Sequence, residues 1–136
     1  MDSSFSIDAA ENMVRLQMRG RLTVQALTAA MNRIAMDAQY RSGMHAVADF
    51  RECSGEWDYS EMQRLRDYLV RAGRDRSRRW AVIVKPGALA AIGHVVILIS
   101  EAVDASISMR LFEEPEHALR WVRETTDEQA DEQADA

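Results

Sequence analysis

Few residues in this chain have both the type and the setting for chemistry. Cys53 is the sole cysteine, and His45 lies eight positions before it. A thiol and an imidazole can make a nucleophile and its base, but no spacing rule ties this pair together. A plain thiol in a loop is the simpler reading. His45, His94 and His117 lack zinc-ligand spacing with the cysteine or with one another. Neither a Walker-type phosphate loop nor a dinucleotide glycine fingerprint is present. Asp49 closes an apolar run, where sites gather in α/β folds; a hydrogen bond to the following loop is the preferred reading. The expectation is a protein that is not an enzyme, with no catalytic residue, no cofactor and no metal.

Three other groups could bind something. Ser60 stands in Asp58-Tyr59-Ser60-Glu61. A phosphate there would meet free N–H groups and the positive end of a helix dipole, but also Glu56, Asp58 and Glu61. Asp58 with Glu61 three residues later reads as a capping box, the simpler role. Arg71, Arg74, Arg76, Arg78 and Arg79 could hold a phosphate or lipid headgroup in bidentate pairs. Asp75 partly neutralises them, and a charge run is usually solvated surface. The third group is apolar: Leu65 and Leu69 on one helix, Leu89, Ile92 and Val96 on the next.

Those side chains need elements to position them. Phe5 and Ile7 alternate with polar neighbours, as do Val14, Leu16 and Met18; two strands joined at Ala10-Glu11-Asn12 make a hairpin. Thr23 can cap a first helix, whose stripe is Val24, Leu27, Met31, Ile34, Ala35 and Ala38. His45–Phe50 is a short apolar strand, followed by a polar loop from Arg51 to Trp57. A second helix starts near Asp58, with Met62, Leu65, Leu69 and Ala72 inward. Trp80–Val84 is a continuous apolar run, as in a strand covered on both faces. Ala88–Val103 is a third helix, apolar nearly all round. Ile107, Met109 and Leu111 mark a last strand, and Pro115 suits the first turn of a fourth helix. The expected class is α/β: a mixed five-stranded sheet with an N-terminal β-hairpin and four helices.

Length fits one domain, residues 1–124, followed by an acidic tail at 125–136 that repeats Asp-Glu-Gln-Ala and lacks an apolar stripe. That tail is expected to be a frayed or disordered end. A lone cysteine suits a reducing, cytoplasmic setting. The start carries no basic stretch or apolar core of a secretory signal, and the longest apolar run is shorter than the ~20 residues of a membrane span. A net charge of -5 argues against nucleic acid as a partner.

The order of these elements resembles the SpoIIAA-like branch of the bacterial STAS superfamily, which is also compared with CRAL-TRIO lipid-binding domains. The resemblance covers residues 5–123. It rests on Arg19-Gly20-Arg21-Leu22-Thr23, on Val47-Ala48-Asp49-Phe50-Arg51, on Trp80–Val84, and on Met109–Phe112 with Ala118-Leu119-Arg120-Trp121-Val122. The regulatory members carry a phosphorylatable serine in Asp-Ser/Thr-Ser-Gly; Ser60 is in register, with Glu61 where the glycine stands. The resemblance implies one of two roles. The first is a binding module for an apolar or amphipathic, lipid-like ligand held near the membrane between the sheet and the helices at 60–73 and 88–103. The second is a regulatory protein-interaction domain of the anti-sigma factor antagonist type, using 51–60. Peripheral membrane contact, a protein partner and a homodimer are compatible with either.

Overall fold

A computed structural model describes residues 2–72 and 77–134. Alternation decides the first two strands. β1 (Asp2–Asp8) and β2 (Met13–Arg21) pair antiparallel, Phe5 opposite Leu16. Between them Asn12 adopts φ 55, a left-handed conformation that asparagine tolerates. The Glu11 N–H donates to Asp8 Oδ1 at 3.1 Å to close the turn.

The remaining chain alternates helix and strand: α1 (Val24–Ala35), β3 (His45–Ser54), α2 (Tyr59–Ala72), β4 (Arg78–Ile83), α3 (Ala88–Ala102), β5 (Ile107–Phe112) and α4 (Pro115–Ala134). Strand order is β1-β2-β3-β4-β5, with β2 to β5 mutually parallel. Each crossover steps the same way across the sheet. Right-handed connections therefore put α1, α2 and α3 on one face, and α4 packs on the other.

Strand periodicity divides the core accordingly. Ala46, Ala48 and Phe50 of β3, with Val82 and Val84, meet Leu27, Leu65, Leu69 and Val96 of the three helices. Val47, Ala81 and Ile83 point the other way, to Ala118 and Val122 of α4.

Thr23 caps α1, its Oγ1 accepting from the Ala26 N–H at 3.0 Å. The helix stops at Ala35, so Ala38 falls outside the expected stripe. A larger departure concerns the expected loop at 51–57. β3 continues to Ser54 because Glu52, Cys53 and Ser54 pair with Arg19, Gly20 and Arg21 beyond an irregularity in β2. Backbone pairing there outweighs the polar composition. α4 is helical to Ala134, through most of the stretch expected to fray; residues 135–136 lie outside the described residues. Glutamate, glutamine and alanine all favour helix.

Candidate ligand-binding site beneath the third helix

α3 starts at Gly87, whose φ of 135 suits a residue without Cβ. Its apolar composition exceeds what the sheet covers. Only Val96 and Ser100 are fully buried, Leu89, Ile92 and Ile99 are half-buried, and Val95 and Leu98 are 43% and 64% exposed. Gly93 faces β5; a Cβ there would lie 2.9 Å from the Leu111 side-chain methyls. That glycine lets the helix approach closely.

Beneath α3 lies an apolar cavity of about 60 Å³. Leu65, Leu69, Leu89, Ile92 and Val96, the five residues singled out from sequence, all line it. Phe50, Trp57 and Trp80 line it too and were not foreseen. Trp57 sits in a polar stretch, and its indole N–H donates to the Leu22 carbonyl at 2.9 Å, folding the ring inward. Trp80 looked like anonymous strand core; its buried indole N–H has no partner among the described residues.

Next to this cavity, at the C-terminal ends of the parallel strands, opens a second one of about 480 Å³. Arg21, Arg51, Lys85, Cys53 and Glu56 line it, and it shares Phe50 and Leu89 with the apolar cavity. The two spaces therefore meet at the start of α3. This basic mouth has no counterpart in the sequence, because Arg21 and Lys85 lie far apart in the chain and only the fold brings them to one rim.

The catalytic candidates come apart. His45 and Cys53 sit near opposite ends of β3, roughly 26 Å apart at strand rise. Burial, then the carboxylates of Asp49 and Glu52, push the Cys53 thiol up to about 11, and its Sγ donates to the Met18 carbonyl at 3.2 Å. A protonated, engaged thiol is a poor nucleophile. His45 Nδ1 accepts from the Arg79 N–H at 2.9 Å; burial, then the Arg79 charge, lowers its pKa. Asp49 accepts from Arg51 Nε at 3.0 Å and Nη2 at 2.7 Å. That pairing holds its carboxyl below its ordinary value against the opposing effect of burial. Among the described residues, no group of three or more His, Cys, Asp or Glu could hold a metal ion.

Ser60 is exposed in the first turn of α2. Asp58 caps that turn, Oδ1 accepting from the Glu61 N–H at 2.9 Å. The reciprocal half of the expected box goes elsewhere: Glu61 Oε2 accepts from the Val24 N–H at 3.1 Å. That amide is one of the orphan donors at the start of α1, so Glu61 ties the N-termini of two helices together. The arginine cluster is dispersed. Arg71 is exposed, Arg78 is buried, and Arg79 stacks 4.8 Å from the Trp121 ring while donating to the Trp121 carbonyl at 2.8 Å. Arg74 and Arg76 lie outside the described residues.

No family model matches this chain, and no curated protein matches it. Among solved structures it is similar to an uncharacterised protein of the DUF3478 family with a SpoIIAA-like fold, from Shewanella loihica PV-4. The TM-score is 0.57 at 16% identity, over 88% of this chain and 93% of that one. This chain has a SpoIIAA-like fold. At that identity the likeness carries the architecture, which is the mixed sheet and helices expected from sequence. No helix among the described residues is long and apolar enough to cross a membrane.

Proposed function

We propose that this SpoIIAA-like domain is a non-enzymatic binding module that takes the apolar part of an amphipathic, lipid-like ligand beneath α3. One observation carries the reading: an apolar cavity closed by a helix whose own apolar surface is only partly covered. At about 60 Å³ the cavity holds no acyl chain as it stands, since ligand pockets run to roughly 300–1,000 Å³. Binding therefore requires α3 to lift. Burying each methylene contributes about 0.8 kcal/mol, so a ten-carbon chain offers roughly 8 kcal/mol against the costs of association and of moving the helix. α3 suits such motion: no side chain caps its N-terminus, and helices with few buried contacts open first.

Native mass spectrometry of the gently purified protein tests this. A co-purifying amphiphile, lost in a Val96→Trp variant that fills the cavity, is the expected result. A bare chain that also fails to take up added ten- to sixteen-carbon amphiphiles contradicts it.

A second reading, the protein-interaction switch, is favoured by the start of α2, where Tyr59 is 77% exposed beside exposed Ser60. Asp58, Glu61 and Glu56 make that surface acidic, so a phosphate on Ser60 would be repelled. A partner that binds wild type and loses Ser60→Asp would favour this reading; equal capture of both, or of neither, counts against it.

A further inference from the structure

We infer that the cavity at the mouth of α3 is an anion subsite, taking a carboxylate or phosphate head whose apolar tail lies beneath the helix. The inference rests on the proposed apolar site for the tail, but the head has its own support. Three cations reach this one space from separate elements: Arg21 from the end of β2, Arg51 from β3, and Lys85 from the segment before α3. In a chain of net charge -5, with Lys85 its sole lysine, that convergence is local and opposite in sign to the whole.

Their partners show which charges are free. Asp49 occupies Nε and Nη2 of Arg51, which leaves Nη1 outside the pair and most of that charge compensated. Arg21 and Lys85 make no ion pair among the described residues. Glu56 is the one acidic residue in the lining. Arg21 lies in register with Ser54, beside Cys53, where Glu52 and Asp49 are already paired with Arg19 and Arg51, so the head belongs at the strand ends between Arg21 and Lys85. The first turn of α3 borders that end through Ala88 and Leu89, and it holds no acidic side chain; its N–H groups add donors to the two cations.

Volume and continuity set the ligand class. About 480 Å³ admits a phosphate or carboxylate with several waters. Leu89 and Phe50 form the shared wall through which a single chain would pass from the polar space to the apolar one. A head at Arg21 and Lys85 would thus set the tail's entry at the first turn of α3, where the helix is least anchored.

Calorimetric titration of the full chain with decyl phosphate, decanol and inorganic phosphate tests this. Wild type is expected to bind decyl phosphate at least tenfold more tightly than decanol. Arg21→Gln with Lys85→Gln should erase that difference and leave decanol binding unchanged; both side chains are exposed, so the fold is kept. Arg120→Gln, exposed on α4, should leave both affinities as they were. If the double variant binds decyl phosphate like wild type, or wild type binds decanol equally well, the anion subsite is overturned while the apolar site stands. If inorganic phosphate binds through Arg21 and Lys85 but a decyl chain adds nothing, the subsite serves a free anion and the apolar reading falls. If none of the three binds, both fall.

Discussion

His45 shows how a side chain packed in the fold can govern the pH dependence of stability. It is buried, its Nδ1 accepts from a backbone N–H, and its Nε2 has no partner among the described residues. Its folded pKa is depressed by burial and then by Arg79. The unfolded chain therefore binds this proton more readily. The stability that neutral His45 contributes is complete above about pH 6.5 and is lost as the pH falls from there toward the folded value. Asp49 behaves in the opposite range: its depressed pKa protects stability above about pH 3.8 and gives it up below. Urea midpoints at pH 7.5 and 5.5 thus isolate the histidine. Wild type should be less stable at 5.5, and His45→Asn should flatten the difference; an unchanged slope in the variant would assign the effect elsewhere. Gly55 offers a steric counterpart. A Cβ there would stand 2.8 Å from the Leu22 carbonyl oxygen, a backbone atom that cannot swing aside. Gly55→Ala is expected to cost about 1–3 kcal/mol in denaturant unfolding, and a neutral result would show that the β3 end yields easily.

Helix ends explain how neighbouring elements are held. Glu61 closes the first turn of α1 from the first turn of α2. Glu61→Ala should cost about 0.5–2 kcal/mol, as other lost caps do, and should speed hydrogen exchange at the Val24 amide first; exchange unchanged there would deny the link. This carboxylate shows where sequence reading stops. Asp58 and Glu61 at a three-residue spacing look like a self-contained box, and only the packing of α2 beside α1 redirects one half of it. Strands and helices were legible because their periods are local: alternation at Val14, Leu16 and Met18, and the oily run of α3. The five apolar residues beneath α3 were legible for the same reason, since each sits on the inward side of its own helix. Trp57, Trp80, Arg21 and Lys85 were not, because a pairing that extends β3 to Ser54 and a crossover that packs α3 on β5 decide where they meet. α3 itself should exchange its amides faster than α1, consistent with its uncapped start and its exposed Val95 and Leu98.

Seen whole, the molecule separates two kinds of surface across one sheet. α4 seals the second face, with Ala118 and Val122 fully buried and Trp121 packed on Phe112 and Arg79. The other face is covered by three helices, and of these α3 both lines the apolar cavity and borders the basic mouth. That asymmetry places the three tryptophans usefully. Trp57 and Trp80 line the apolar cavity, and Trp121 lies on the opposite side of the sheet. An acyl chain brominated along its length quenches indole fluorescence on contact. Titrated into the protein, it should quench Trp57 and Trp80 and spare Trp121. Trp121→Phe should then retain the full quench, and Trp57→Phe with Trp80→Phe should lose it. Trp80→Phe also removes a buried donor that has no partner, which favours a folded variant. Quenching confined to Trp121, or none at all while the chain remains folded, would contradict a ligand beneath α3.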